Sequence, residues 1–344
     1  ASGRRPAAGR GAWIGLRCFR GRNRVVTAAA GVVAAVVGLA ALTALRVGWL
    51  VVTTSDPPSL GLIGLFRNEG LNMYNWMTHH HCLGVREFVM INDHSTDNGV
   101  AEIERFVADH RGDVTVHIHH RHTTAKDQQL LYNRFIMGMK SDWVGIWDID
   151  EFIYPRQGYT DIGSVLREMP LWVAAVHIQC VMFGTSGHDR HPPSVIHANV
   201  HSDGRVVNVG KSLHRRAFAV WVAAHTFEVA LGWAVSPDQS LFVGSHTAVP
   251  GTEAKNTSHL PLLCNHYQLQ SREFFGANKI RPNQGNLLAK YRTNLTWDTF
   301  EERNRDKVVH DDEISRFANR STCWQHWFEV GQRGRPQRAD PPSR

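Results

Sequence analysis

The chain has 344 residues, 42% of them hydrophobic and 20% charged, enough to bury one large core, which excludes wholesale disorder. Its formal net charge is +7, but Arg4, Arg5, Arg10, Arg17, Arg20, Arg22 and Arg24 supply seven of the 38 basic residues within the first 24 positions. The remaining 31 balance 31 acidic residues, so the main body lacks the cationic surplus of a nucleic-acid binder.

Residues 1–24 read as a basic cytoplasmic tail, and Val25 to Leu45 is an uncharged run of 21 residues. A helix rising about 1.5 Å per residue spans one hydrocarbon thickness, roughly 30 Å, over such a run. Seven arginines before it and Arg46 alone just after it predict a type II signal anchor, with the bulk of the chain across the membrane. Residues 46–58, ending Asp56-Pro57-Pro58, read as a short stem. Cys18 falls on the cytoplasmic side and Cys82, Cys180, Cys264 and Cys323 on the other, where they make two disulfides in one of three connectivities or stay as buried thiols. Asn256, Asn294 and Asn319 open Asn-x-Ser/Thr tripeptides on that side. Such an arrangement is typical of secretory-pathway enzymes, Golgi ones above all.

From residue 59 strand and helix patterns alternate. Strands are predicted over Leu60–Phe66, Glu87–Asn92, Val114–His120 and Trp143–Trp147, and helices over Leu71–Cys82, Val100–His110 and Asp127–Lys140. That order predicts an α/β domain over residues 59–328 with a mainly parallel sheet, ligands binding outside the carboxyl ends of the strands. After Pro170 the pattern turns irregular, with short strands at Trp172–Gln179 and Val206–Val209, and residues 329–344 read as a disordered tail.

The sharpest chemical feature is Asp148-Ile149-Asp150, entered from an apolar strand. Continued strand alternation would put both carboxylates on one side, with Glu151 turned away. Two hard oxygen ligands suit Mg²⁺ or Mn²⁺, ions that complete their shell with water and diphosphate oxygens. Three neighbouring stretches reach the same sheet edge: Arg67-Asn68-Glu69-Gly70, where a helix start faces a nucleotide; Asn92 to Asp97, with Asp93 placed for a ribose or base and Asp97 or Asn98 for capping the next helix; and Gln128 with Asn133. A nucleotidyltransferase would carry a Gly-rich phosphate loop with a basic residue after the first strand, which Arg67-Asn68-Glu69-Gly70 fits poorly.

Arg67-Asn68-Glu69, Trp76 to Gly84, Asn92 to Asp97, Gln128 to Asn133, Trp147 to Phe152, Phe183 to Gly187, Lys211-Ser212 and His266-Tyr267 with Ser271 together resemble, in order and spacing, glycosyltransferase family 92 and its family 2 type relatives. The resemblance covers roughly residues 60–280. It implies a GT-A fold, a nucleoside diphosphate sugar donor, commonly UDP-galactose, a divalent cation, and usually inversion at the anomeric carbon. Carried onto this chain, it implies Asp148 and Asp150 as metal and diphosphate residues, His266 as a third ligand and Lys211 on the donor phosphates. At Lys279-Ile-Arg281-Pro282 the chain departs from the family pattern.

Inversion requires a base to take the acceptor proton. Glu228, Glu273 and Asp238 are carboxylates of the irregular half among which no spacing chooses. His117 and His119 share a strand face but lack a zinc-type complement, and Trp221, Trp233 and Trp324 are the tryptophans considered for stacking on an acceptor sugar. The reading is a membrane-anchored, metal-dependent hexosyltransferase acting on a glycan hydroxyl. The rival from another class is a catalytically silent glycan-binding or scaffold protein on the same fold.

Overall fold

The computed structural model describes residues 38–39, 41–42, 56–121, 125–222, 227–229, 231–242, 257–280 and 295–333. All but four residues of the predicted anchor lie outside that set, as do Cys18, Asn256, Asn294, Arg281 and residues 334–344. Among the described residues no helix is long and apolar enough to cross a membrane. The chain divides into residues 1–53 and 54–344, and the fold below is that of the second unit.

The first half alternates as its patterns dictate. Strand β1 (Leu60–Phe66) leads to helix α1 (Gly70–Cys82), β2 (Val85–Asn92), α2 (Gly99–Asp109), β3 (Thr115–His120), α3 (Ala125–Gly138) and β4 (Trp143–Ile146). In β1, Leu60 and Leu62 join the core under α1 and α2, while Ile63 joins Val89, Ile136 and Ile146 under α3. Both faces are covered, so the strand is apolar throughout rather than alternating.

The second half breaks the parallel order. Strand β5 (Glu151–Pro155), α4 (Ile162–Arg167), β6 (Val173–Phe183), α5 (Val195–Ala198) and β7 (His201–Arg215) are followed by β8 (Ala219–Val222), β9 (Phe227–Val229), β10 (Trp233–Val235) and β11 (Leu262–His266). A short helix α6 (Arg272–Phe274) runs into a π turn, Phe275–Lys279; then come α7 (Trp297–Arg305), β12 (Val309–His310), α8 (Glu313–Arg320) and α9 (Thr322–Arg333). The main sheet has ten strands in the order β3-β2-β1-β4-β7-β6-β11-β5, with β10 beside β6 and β12 beside β7. Strands β3, β2, β1 and β4 are parallel, whereas β7 is antiparallel to β4 and to β6, and β5 to β11. The sheet is therefore mixed: β10 and β11 also lie parallel to β6, so among the described residues the expected parallel pairing holds for five of the nine strand pairs and gives way to antiparallel pairing around β7 and β5. The long antiparallel β6–β7 pair lies where the sequence pattern loses its helices.

The cysteines combine the two expectations, with one disulfide and two buried thiols among the described residues. Cys82 at the end of α1 bonds Cys323 in α9, across 241 residues. Cys180 and Cys264 stay as buried thiols, facing each other on β6 and β11.

Candidate functional site

The carboxyl ends of β1, β2 and β4 meet at one end of the sheet, and their loops are tied together. Asn68, at a positive φ of 58°, accepts from the Thr96 backbone N–H at 2.8 Å, and its own N–H reaches Ser95 Oγ at 3.0 Å. Asp97 accepts from the backbone N–H of Gly70 at 2.7 Å and of Gly99 at 3.0 Å, so one carboxylate caps the starts of two helices. A side chain at Gly70 would collide with Asn98 and Asp97, so glycine is required by close approach. Asn68 is thus a loop staple. Asp93 is buried at the tip of β2, its backbone N–H bonded to Phe66, with His94 Nδ1 3.8 Å from its carboxylate.

Strand β4 stops at Ile146, and Asp148 to Asp150 form the turn into β5. Strand alternation does not apply there, which corrects the placement of Glu151. Its carboxylate accepts from the Asp148 N–H at 3.2 Å and lies 3.3 Å from Lys211 Nζ and 3.6 Å from His266 Nδ1. Lys211 is fully buried and gives its ammonium to Asp148 Oδ2 at 2.7 Å. Its place is fixed by a bulge between Ile178 and Cys180 of the β6–β7 ladder; Gly210 there leaves no room for a Cβ against the Ile178 carbonyl. Asp150 receives Lys279 at 3.0 Å on Oδ2 and His266 at 3.4 Å on Oδ1. Lys279 also reaches Glu69 at 3.4 Å, and His266, ending β11, pairs in register with Glu151.

These groups form one electrostatic cluster. Burial pushes the Glu69 and Glu151 carboxyls up to about 7, with Lys279 and Lys211 respectively pulling against it. Asp150 is equally buried, yet Lys279 and His266 hold it far below the usual carboxylate range. His266 is raised, its burial outweighed by Asp150, and Lys211 is raised because Asp148 and Glu151 outweigh its burial. Glu69 Oε2 is buried without a hydrogen-bond partner. Among the described residues, four carboxyl groups thus face two ammoniums and one imidazole, and the acid is held in part by raised carboxyl pKa values.

An oxygen-rich cluster with surplus negative charge fits a hard divalent cation chemically. The three predicted ligands do not yet converge: Asp148, Asp150 and His266 do not bring one atom each within 4.8 Å of one another. The reason is visible in the ion pairs, since Lys211 draws one aspartate and Lys279 the other. Among the described residues, the trio that does converge is His81, Cys82 and Cys323, whose sulfurs are already joined to each other.

Several predicted residues are engaged elsewhere. Asn133 exchanges both amide atoms with the Val222 backbone, at 2.9 and 2.8 Å, and so holds β8 on α3 rather than facing a donor. Gln128 donates to Tyr132 at 2.6 Å. Lys211 sits beneath the aspartates, with no exposed surface for a phosphate. Asp238 accepts from Ser240 in a turn that also touches Glu168, at the opposite end of the sheet, which removes it as a base. Glu273 accepts from the His191 N–H at 2.8 Å and lies in α6, which runs into the π turn carrying Lys279. Glu228 pairs through its backbone with Trp221 on the β8–β9 hairpin. Trp324 is core and unavailable for stacking, while Arg67 is half-buried at the mouth of β1. Sequence reading missed Lys279 and the inward role of Glu151; the Lys279-Ile-Arg281 departure was the available signal for the first. A separate cleft of about 620 Å³ lies beside the disulfide, between Tyr154, Arg156, Tyr159, Glu313 and Phe317, and contains none of the predicted site residues.

The model of a known family, Glycosyltransferase family 92, matches residues 63–219, from β1 through the acidic turn to the start of β8. That match covers 157 of the 344 residues, and over it the chain is similar to family 92. No curated protein matches its sequence. Among solved structures, Staphylococcus aureus TarS (1–349) is 13% identical with a TM-score of 0.29, over 46% of this chain and 48% of that one, so the match spans about half of TarS. Glucosyl-3-phosphoglycerate synthase from Mycobacterium tuberculosis, solved with Mn²⁺, UDP and glucosyl-3-phosphoglycerate, is 10% identical over 47% and 58% of the two chains, TM-score 0.27. The mannosyltransferase PcManGT from Pyrobaculum calidifontis, solved with GDP-Man and Mn²⁺, is 13% identical over 91% and 87%, TM-score 0.33. Overlaps this slight leave the reading to the family match and the geometry.

Proposed function

We propose that the enzyme moves a hexose, galactose in the first instance, from a nucleoside diphosphate sugar of the UDP type to a glycan hydroxyl with inversion, using Mn²⁺ or Mg²⁺. The observation that carries this reading is the surplus of carboxylates around Asp148 and Asp150, at the strand ends where the loops of β1 and β2 meet. Asp148, Asp150 and His266 would hold the cation, which when bound neutralises charge on the departing diphosphate. Lys279 must leave Asp150 for that to happen, and an ammonium released there is placed for donor phosphate. Asp93 supports ribose or base binding, with Arg67 and Glu69 alongside. Glu273 and Glu228 are the carboxylates retained for deprotonating the acceptor.

A second reading follows from one contact: Lys279, 3.0 Å from Asp150, already sits as a resident cation, and transfer would then need no metal. Release of UDP from a panel of UDP-hexoses, with Mn²⁺ and with excess chelator, separates the two. Release that stops on chelation supports the metal reading; release that persists supports the ammonium; no release from any UDP-hexose contradicts the donor assignment. The compartment proposed is a Golgi or other secretory membrane, with residues 25–45 as a single-pass type II anchor. Its support is the charge asymmetry across an uncharged run of 21 residues.

A further inference from the structure

At the end of the sheet opposite the acidic turn, large apolar side chains stand in solvent. Trp233 is 64% exposed, Trp172 46%, Leu171 42% and Leu241 58%. They form one face. The Trp233 N–H bonds the Trp172 carbonyl at 2.9 Å, β10 pairs with the first residues of β6, and Leu241 bridges Val235. Scattered exposed apolar residues need no explanation, but paired tryptophans and leucines on one edge mark a surface that meets something.

The chain itself says what. The stem arrives at this same end: Asp56 pairs with Arg167 at 2.7 Å at the close of α4, and Pro57 packs on Gly163. Three residues beyond Arg167 the chain turns through Pro170 into Leu171 and Trp172. Upstream of Asp56 only residues 46–55 separate the described domain from the uncharged run, a tether of at most about 36 Å. The partner of an exposed tryptophan face held that near a membrane segment is the bilayer interface, where amphipathic indoles settle at headgroup depth.

We infer that Leu171, Trp172, Trp233 and Leu241 rest on the lipid headgroups, so that the domain stands on the membrane instead of swinging from its stem. Strand β6, with 11 residues, runs from this edge to Met182 beside His266, so the apolar edge and the donor site lie at opposite ends of a strand roughly 33 Å long. The inference rests on the anchor reading of residues 25–45.

The test uses the full chain in phosphatidylcholine nanodiscs, with and without dibrominated acyl chains, which quench nearby indole fluorescence. Replacing both tryptophans (Trp172→Phe, Trp233→Phe) is expected to lower the absolute emission lost to brominated lipid by about half or more. Equal loss in the two chains overturns the docking. If that equal loss comes with a fall in the mass of the detergent-solubilised chain on substitution, the face belongs to a second copy. Failure of the wild-type chain to enter nanodiscs overturns the anchor and the docking together, and is read directly from co-migration.

Discussion

Lys279 is the residue whose behaviour separates the readings of the site. It touches Asp150 and Glu69, two of the four carboxyl groups in the cluster, and so competes with any cation for the same oxygens. Replacing it with Met should tighten Mn²⁺ binding by about tenfold or more, measured from the free-ion signal in electron paramagnetic resonance. Unchanged or weaker affinity would mean that the ammonium does not occupy the metal's place. At this scale the sequence was legible where chemistry is local. Asp148 and Asp150 stand out as candidates by spacing, and Asp97 accepts from the Gly99 N–H at the start of α2, as its position suggests. Lys211 was not legible: its burial depends on a bulge against Ile178, a partner 33 positions away, and nothing near Lys211 in sequence records that. Asn133 failed for a similar reason, because its amide is matched to the backbone of Val222.

Helix α1 shows how an element carries its own pH dependence. It buries His79, His80 and His81, with His79 and His81 lowered to about 4 and His80 well below its ordinary value, burial being the main cause in each. The unfolded chain binds protons on these groups near pH 6.5 and the folded chain does not. Stability from the neutral histidines is therefore complete above 6.5 and is lost as pH falls toward 4. For His79 alone the effect is on the order of 3 kcal/mol. Glu69 and Glu151, raised to about 7, act in the opposite sense between 4.5 and 7, so substitution isolates the histidine part better than a bare pH curve. A His80→Phe chain should lose less melting temperature than wild type between pH 7 and 5; a parallel decline would contradict the assignment. Elements β1 to β4 were readable because each has its own apolar period and its own turn. The antiparallel pairing of β7 with β6 and of β5 with β11 was not, since pairing register between distant strands is set by the whole sheet rather than by any one stretch.

For the whole molecule, the Cys82–Cys323 bond joins α1, at the heart of the parallel half, to the C-terminal helix α9. Closing so long a loop limits the unfolded chain, and Cys323→Ser is expected to lower unfolding free energy by about 2–5 kcal/mol, read from urea titration. No change would show that α9 is held by packing alone, through contacts such as Trp324 in the core and Arg105 bonded to the Gly331 carbonyl. The acidic turn, the loops of β1 and β2 and the strand bearing His266 converge only because the mixed sheet places β11 beside β6 and β5 beside β11. The family match ends at residue 219, before His266 and Lys279, so the later half of the site rests on geometry. The most direct measurement is therefore transfer from the active UDP-hexose by Asp148→Asn, Asp150→Asn and the double variant, with circular dichroism confirming the fold. Glu151 remains to partner Lys211 in each of these chains. The account predicts that each single variant loses at least about a hundredfold in turnover and that the double loses no more than the worse single, as expected of residues that act as a unit. Folded variants that turn over at the wild-type rate would contradict it.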